Sequence, residues 1–588
     1  MNFYHQYKWV LFGAALSATL LISIISRKYY QIKKVTTPFL LTRLDSVIHL
    51  SSIQLKFNND NIYLLTSELT KKFYQDRGME AVWINDGHLI PQLDSLIKAI
   101  SWAENEGLDS TEYFFSEIKN LQKNLINIKW QRSDNEKLVV LDILATDTYL
   151  KYADHLHSGR INPTKFDTNW VPYLDRVDAA ELLSKSLEQN KIESSLKNLL
   201  PKHDQYIKLR QQLWFYQSIS REGGWEAVPL DEAVKNLSSG VSDSMIFIIK
   251  KHLAQIGQID KKDINDTFDE ALSRSLRRYQ YKNGLVVNGK LDKITTRHLN
   301  VPVEKILKKI SLNMERYKWI PENLGEKYIA VNIPAFELNV FEKYNCKVMD
   351  MKVIVGRDST PTAIFSDTMD NMIFSPEWNV PLSIAKKELL PLLKSNPDKI
   401  EEQGILVYEN WGVKAKKISL YDINWEEVKP LDFKYRLVAL ASRFNPLGLV
   451  MFNFPNSRHI YLHDTPYDYL FSYPNRALSH GCIRVQYPVH LAQFILETDP
   501  TWNRNKILEN MDQYKPKKIK IPGKKIPIHL MYETAWVDEN NKLIFRDDIY
   551  RHDRNQINGI EKSKRKLVES KMIVGVGTIS LKENKKLN

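Results

Sequence analysis

Cysteine is scarce in this chain of 588 residues, which contains only Cys346 and Cys482. Two cysteines are too few for the disulfide framework of a small secreted scaffold, so that class of protein is excluded. Cys482 instead follows a glycine in a polar turn, a setting that favours a reactive thiol. Cys346 has no histidine near it in the sequence, and we interpret it as structural.

The chain also lacks a concentrated basic stripe. It has 83 Lys and Arg against 70 Asp and Glu, a net charge of +13, but the two signs are mixed almost everywhere. Nucleic-acid binding needs a clustered basic patch, so we expect no nucleic-acid partner. The charge fits a lysine-rich solvated surface, or an anionic partner such as a cell-wall polymer or a membrane surface.

One long uncharged run, WVLFGAALSATLLISII, occupies residues 9–25. Its length is near the low end of a membrane span of roughly 20 residues. No small-x-small cleavage site follows, which favours an uncleaved anchor within residues 1–30 over a removed signal peptide. The positive-inside rule, applied to the lysines and arginines after the run, would keep the protein in the cytoplasm, but long domains are translocated largely regardless of charge. We therefore expect export, with a buried soluble helix as the alternative.

Two helical units are predicted after this run. In residues 36–240, stretches such as Leu138–Leu156 place apolar residues three and four positions apart, which predicts a helical scaffold domain. In residues 243–305, Leu272, Leu276 and Tyr279 share one predicted helical face, Asn-Gly pairs mark turns, and Thr295 is the expected start of a closing helix. This order of a helix followed by YQYKNGLVVNGKLDKIT resembles the small three-helix peptidoglycan-binding module. A plain helical spacer is the alternative.

Strand-like patterns take over in residues 325–550. Tyr328–Glu342 alternates with period two and Cys346–Gly356 returns, which predicts a β-hairpin, and further strands are expected at 447–454, 458–462 and 526–536. Residues 376–443 are too long for a plain loop and contain three tryptophans, so we expect a folded insertion, either a lid or a decorative surface subdomain. Residues 551–588 are predicted to be a basic C-terminal tail.

The densest chemical signal is the segment HIYLHDTPYDYLFSYPNRALSHGCIRV, residues 459–485. A glycine beside Cys482 allows a tight turn whose N–H groups can hold an oxyanion. A free thiol titrates near pH 8.5, so a nucleophilic cysteine needs a base, and His463 at the end of a strand-like run is the best candidate. A zinc site formed by His459, His463 and Cys482 is the alternative, but a histidine pair four residues apart suits a helix rather than a strand.

This segment resembles the YkuD-type catalytic domain of L,D-transpeptidases. The family signature is a histidine, a spacer and Ser/Thr-His-Gly-Cys followed by an apolar residue and Arg or Asn, and His463 precedes Ser479-His480-Gly481-Cys482-Ile483-Arg484 at the expected distance. The YLHDTP segment and the order of the domains are similar to the large Gram-negative, YcbB-like subfamily. Where that subfamily has Gln-x-Pro-Gly, this chain has Ala441-Ser442-Arg443-Phe444, which leaves the substrate contacts near the insertion open.

The resemblance implies a multidomain α+β protein that forms peptidoglycan crosslinks through a thioester on Cys482, with His463 as proton acceptor and donor. Ser479, His480, Gly481 and Arg484 would contact the substrate or the oxyanion, and a backbone carbonyl rather than the Asp464 side chain would orient the base. Peptidoglycan stem peptides are the expected partner and the periplasmic side of the inner membrane the expected location, with no metal or cofactor. An L,D-carboxypeptidase, a cysteine peptidase acting on stems and a non-catalytic wall-binding protein are the alternatives.

Overall fold

The computed structural model describes residues 54–57, 60–85, 88–126, 132–229 and 239–572. The predicted anchor at residues 9–25 lies outside these ranges. Within them, no helix is both long enough and apolar enough to cross a membrane. The predicted multidomain α+β class is confirmed for the described residues, since helical units precede a mainly-β domain.

The first unit is helical and forms around one long central helix. Its hydrophobic core includes Trp83, Tyr113 and Tyr149, all fully buried. Buried Asp142 accepts hydrogen bonds from the amides of Val82 and Trp83 and from the Tyr74 hydroxyl, so a carboxylate fixes the loop ahead of the next helix. The elements are β1 Gln54–Phe57, β2 Asp60–Tyr63, α1 Ser67–Asp76, β3 Ile84–Asn85, β4 His88–Leu89, α2 Gln92–Ser101, α3 Phe115–Ile126, α4 Arg132–His157, α5 Ala179–Glu188, α6 Ile192–Lys197 and α7 Asp204–Arg221.

Three short helices form the second unit: α8 Ser244–Gln255, α9 Glu270–Lys282 and α10 Lys293–Leu299. The predicted face of Leu272, Leu276 and Tyr279 is buried. Buried Gln280 accepts hydrogen bonds from the amides of Asn288 and Gly289, which closes the turn between α9 and α10. The expected helix start at Thr295 is wrong, because Asp292 accepts from the Thr295 amide and caps α10 three residues earlier.

Helix α11, Val303–Arg316, leads into the β-domain. The predicted first strand Tyr328–Glu342 is two strands, since β5 ends before Pro334, which has no amide to donate to a ladder. The predicted returning strand is present with its expected bounds. The strands before the insertion are β5 Tyr328–Asn332, β6 Glu337–Glu342, β7 Cys346–Gly356, β8 Phe365–Met369 and β9 Asn371–Phe374.

The insertion at 376–443 folds as a small unit with a four-stranded sheet in the order β10-β13-β11-β12 and a separate hydrophobic core around Trp425. The Asn445 side-chain amide donates to the carbonyls of Pro376 and Leu440, so one residue ties both ends of the insertion together. The elements are β10 Trp378–Asn379, α12 Leu382–Ile384, a π-helical turn Ala385–Leu389, α13 Leu390–Ser395, α14 Asp398–Glu402, β11 Ile405–Tyr408, β12 Lys417–Ile418 and β13 Arg436–Ala439.

The elements after the insertion complete the β-domain. Only Leu462 of the expected strand at 458–462 pairs, in a two-residue strand with His463, in part because His459 has a left-handed φ of 55°. The predicted strand at 526–536 is interrupted after Met531. The elements are β14 Val450–Asn453, β15 Leu462–His463, β16 Ala477–Ser479, β17 Ile483–Val485, α15 Pro488–Leu496, α16 Arg504–Asp512, β18 Lys517–Lys520, β19 Ile526–Met531, β20 Ala535–Val537, β21 Leu543–Phe545 and α17 His552–Met572.

The main sheet runs in the order β18-β9-β14-β15-β17-β7-β6-β5-β19-β8, and β16 pairs with β7 beside this path. Short strand β15 lies parallel to β17, with Leu462 opposite Ile483 and His463 opposite Arg484. Strand β17 also pairs with long β7, which fixes its register from the other side. The segment from 459 to 485 therefore begins and ends in neighbouring strands, because β15 near its start pairs with β17 at its end.

A cluster of buried charges joins the helical units to the sheet. Arg316 at the end of α11 lies 2.6 Å from Asp553 of α17 and donates to the Tyr532 carbonyl. Glu315 and Lys318 form a second buried pair at 3.1 Å, and the Lys318 ammonium donates to the His155 carbonyl of α4. The region predicted as a basic tail therefore begins with a helix whose first turn is part of the interior.

We predict that Asp553→Ala will lower the free energy of unfolding by about 3 kcal/mol, because it leaves the Arg316 guanidinium buried without its anion. Chemical denaturation followed by circular dichroism measures this. Asp358→Ala is the matched control, since it breaks the exposed Arg551–Asp358 pair and should cost about 1 kcal/mol or less. Equal losses in the two variants would contradict the structural role of the buried pair.

Candidate active site

His463 is the buried residue at the end of β15, with 4% of its surface exposed. Its Nδ1 lies 2.6 Å from the Asp464 carbonyl oxygen. A carbonyl only accepts, so Nδ1 carries the proton and Nε2 is left as the basic nitrogen. Burial, and secondly the nearby Arg484 guanidinium, lower the pKa of His463 to about 3. The imidazole is therefore neutral and able to accept a proton at ordinary pH.

Cys482 directly precedes β17. The next residue, Ile483, pairs with Leu462 of β15, the strand that ends with His463. Its thiol donates to the His459 carbonyl at 3.6 Å, and the Tyr461 hydroxyl is a second neighbour. Burial raises the pKa of the Cys482 thiol, although Tyr461 and Arg484 oppose this. The resting thiol is therefore protonated, and a nucleophilic role requires a base to remove its proton.

Ser479 shapes the turn that presents the cysteine. Its hydroxyl donates to the Cys482 carbonyl at 2.5 Å and accepts from the Gly481 amide at 3.1 Å. Gly481 has a φ of 118°, a conformation that favours glycine, and its carbonyl accepts from the Thr362 hydroxyl at 2.8 Å. The Gly481 amide is thus bonded inside the turn, and it would have to leave Ser479 to bind an oxyanion.

His480 turns outward from this segment to the insertion. Its Nε2 contacts both the Glu388 carboxylate and the Arg357 guanidinium, and Arg357 and Glu388 also pair directly at 2.8 Å. Arg357 follows β7 and Glu388 belongs to the π-helical turn of the insertion. His480, Arg357 and Glu388, which we call the insertion contact, join the cysteine segment to the insertion.

Arg484 lies opposite His463 across the β15–β17 pair. Its buried Nε has no hydrogen-bond partner among the described residues. A buried guanidinium nitrogen without a partner can bind a carboxylate from outside the chain, since bidentate pairing to carboxylates is the strongest interaction of Arg. Arg484 is therefore suited to hold an anionic group beside the thiol.

The remaining expectations concern Asp464, the zinc alternative and Cys346. The Asp464 carboxylate accepts from the Leu449 amide at 2.8 Å, so only its backbone carbonyl orients His463. No group of three or more His, Cys, Asp and Glu suited to a metal occurs in the described part of the chain. Cys346 is exposed and free at the start of β7.

Sequence reasoning missed Tyr461, Arg357 and Glu388. Tyr461 precedes His463 by two positions, and its ring lies 5.8 Å from the imidazole, so strand alternation would have placed it on the correct face. Glu388 is 92 positions from His480 and belongs to no recognisable motif. No sequence signal pointed to it.

His463 thus ends β15, and Cys482 directly precedes β17, the strand paired with β15 in the mainly-β domain. Comparison with known families identifies the domains of the chain. Residues 326–502 match the "L,D-transpeptidase catalytic domain" of the YkuD family, residues 242–299 match a "Putative peptidoglycan binding domain" and residues 68–213 match a "Scaffold domain". The chain therefore carries the YkuD L,D-transpeptidase catalytic domain together with a peptidoglycan-binding domain.

Individual relatives were also found. A Haemophilus influenzae protein described as "Putative L,D-transpeptidase" is 34% identical over 261 residues, 44% of this chain and 51% of that protein, so the chain matches about half of that relative's length. A solved L,D-transpeptidase from Mycobacterium smegmatis is 13% identical with a TM-score of 0.16, covering 35% of this chain and 58% of its own. One from Stackebrandtia nassauensis is 12% identical with a TM-score of 0.19, covering 50% and 94%. Both TM-scores are too low to support a conclusion.

We predict that iodoacetamide labelling of Cys482 will accelerate steadily with pH, by about tenfold per unit between about pH 6 and pH 8. The thiol pKa is raised and the His463 pKa is lowered to about 3, so neither group changes its dominant form in this interval. The measurement is peptide mass spectrometry in a Cys346→Ala background, because Cys346 is exposed and would also react. A rate that is already constant from pH 5 would reveal a preformed thiolate–imidazolium pair and contradict the assignment.

Proposed function

We propose that this protein is a peptidoglycan L,D-transpeptidase that forms crosslinks between stem peptides through a thioester on Cys482. The observation that carries the proposal is the neutral His463, whose Nδ1 is held by the Asp464 carbonyl, on the strand that pairs beside Cys482. The match of residues 326–502 to the YkuD catalytic domain supports the choice of reaction.

The first half of the reaction forms the acyl-enzyme. The Cys482 thiol leaves the His459 carbonyl and gives its proton to Nε2 of His463, and the thiolate attacks the carbonyl that precedes the terminal D-alanine of a tetrapeptide stem. The carbon–nitrogen bond breaks, D-alanine departs with the proton returned by His463, and a thioester remains. Arg484 is placed to hold a substrate carboxylate during this step.

In the second half, an amine of a neighbouring stem attacks the thioester carbonyl. His463 takes the proton of the amine and returns it to the Cys482 sulfur as the carbon–sulfur bond breaks. The product is an amide between third residues of two stems. Water in place of the amine would give hydrolysis and a trimmed stem, which is the carboxypeptidase outcome.

The insertion at 376–443 is proposed to be a lid that favours the amine over water. It is a folded unit, and Glu388 brings it into contact with His480, two residues from the nucleophile. A closed site excludes water and strengthens the electrostatic interactions inside it. Location in the cell envelope, on the periplasmic side of the inner membrane, follows from the wall substrate and from the hydrophobic run at 9–25.

Purified protein incubated with disaccharide-tetrapeptide should yield a covalent adduct on Cys482 and a crosslinked dimer, both detected by mass spectrometry. Cys482→Ala should abolish the adduct and the dimer, because the other cysteine, Cys346, is exposed at the start of β7 and belongs to a different segment. Cys346→Ala should leave both unchanged. Loss of activity in Cys346→Ala alone would overturn the assignment of the nucleophile, and a trimmed stem without dimer would show a carboxypeptidase.

For the lid, we predict that Glu388→Gln will lower the ratio of crosslinking to hydrolysis by about threefold, since a partly exposed ion pair is worth about 1 kcal/mol or less. Replacing residues 376–443 by a short glycine linker should lower the ratio further. Both products are measured on the same tetrapeptide.

Glu402→Gln is the matched control, because Glu402 ends α14 in the same insertion and is exposed. It should leave the ratio unchanged. Equal loss of crosslinking and hydrolysis, in a variant that still labels at Cys482, would show that the insertion does not select the acceptor.

A further inference from the structure

A cavity of about 300 Å³ lies where three parts of the protein meet. One wall comes from scaffold helix α7, one from the peptidoglycan-binding domain and one from the β20–β21 hairpin of the β-domain. Neither the proposed reaction nor the predicted site residues involve it. Its volume is at the lower end of the range for small-ligand sites.

The domains around the cavity are joined by specific contacts. Trp225 donates to the Val301 carbonyl at 3.1 Å, and Arg546, which follows β21, donates to the Tyr281 carbonyl at 3.4 Å. The hydrophobic cluster of α7, α11 and the β20–β21 hairpin contributes Tyr216, Leu543 and Phe545 to the lining. The cavity is therefore part of the folded arrangement of these domains.

One part of the lining is aromatic. Trp225 stacks on His252, with ring centroids 4.3 Å apart and an interplanar angle of 13°. Tyr279 adds a ring whose hydroxyl is bonded to His298. Flat rings of this kind suit the apolar face of a sugar or an aliphatic chain.

His252 also contributes a polar atom without a partner. The residue is 3% exposed and lines the cavity, and its Nδ1 has no hydrogen bond within the described structure. Buried polar groups are normally satisfied, so this nitrogen points to a ligand. Burial, and secondly His298, lower the pKa of His252 to about 4, so the ring is neutral and one nitrogen can donate.

Two lysines supply positive charge. Lys282 and Lys542 line the cavity, and neither forms an ion pair with another described residue. Burial and the like charge of Lys542 lower the pKa of Lys282 to about 8. Asp538 acts on the pKa of Lys282 in the opposite direction, and its carboxylate accepts from the amides of Asn540 and Lys542 within the hairpin turn. An anion entering the cavity would therefore find two cations available.

We propose that this cavity binds an organic carboxylate with a sugar or aliphatic flank, supplied by the peptidoglycan strand. Lys282 and Lys542 would hold the carboxylate, His252 would donate to it or to a neighbouring oxygen, and Trp225 and Tyr279 would cover the flank. The choice of the wall as the source rests on the proposed function, whereas the ligand chemistry rests on the cavity alone. Because its walls come from three domains, the site would fix a bound strand relative to the catalytic domain.

Hydrogen–deuterium exchange of the full chain tests this, with a Cys482→Ala background to prevent turnover. Disaccharide-tetrapeptide should slow exchange in peptides covering residues 279–285 and 538–545. The Lys282→Ala and Lys542→Ala double variant should weaken this binding by about tenfold or more. Lys282→Arg should retain it, and Lys261→Ala, an exposed lysine of the same domain, should leave it unchanged.

Protection of these peptides that persists in the double variant, or no protection at all, would overturn the proposal. Citrate tests whether the bound carboxylate comes from peptidoglycan or from a small free molecule. Equal protection by citrate and by the disaccharide-tetrapeptide would overturn peptidoglycan as the source. The proposed function fails separately, if tetrapeptide does not acylate Cys482 in the unmodified chain. Acylation of a small free tetrapeptide should be the same in the double variant as in the unmodified chain, since the cavity is not part of the catalytic site.

Discussion

The organisation of this protein depends on the buried charged side chains at and just after the end of α11. Because they are shielded from water, each needs a partner within the protein. Glu315, Arg316 and Lys318 are consecutive or nearly so, and each is at most 8% exposed. Moving an ion from water into the interior costs several kcal/mol unless partners compensate. The partners come from α4, from the sheet and from α17, so the charges are satisfied only when all three are assembled. The domains are therefore coupled through one short stretch of helix.

The segment at 459–485 also depends on a small number of hydrogen-bond partners. Backbone carbonyls, rather than carboxylates, contact both His463 and Cys482: the Asp464 carbonyl accepts from the imidazole and the His459 carbonyl accepts from the thiol. A carbonyl fixes a tautomer without adding a charge that would stabilise an imidazolium. The pair therefore rests in its neutral form, and the nearby charge is that of Arg484, which lowers the pKa of His463 and opposes the rise in the pKa of Cys482.

The sequence predicted those parts of the molecule that are encoded locally. His463 and Cys482 follow from a short motif, and the buried face of α9 follows from helical spacing. The division of Tyr328–Glu342 at Pro334 was also readable in principle, since proline cannot donate to a ladder. By contrast, the contact between Glu388 and His480 and the burial of Asp553 join residues far apart in the chain. No periodicity records such pairs, because they depend on how finished elements meet.

The position of Asp553 has a consequence for the order in which the protein matures. It lies 237 positions after Arg316, so a chain that emerges from its N-terminus presents the guanidinium long before its counter-ion exists. Before α17 is made, water is the partner available to the Arg316 group that later pairs with Asp553. Loop-closure entropy makes so distant a pairing slow to form. The buried contact between α11 and α17 can therefore form only after α17 has been synthesised.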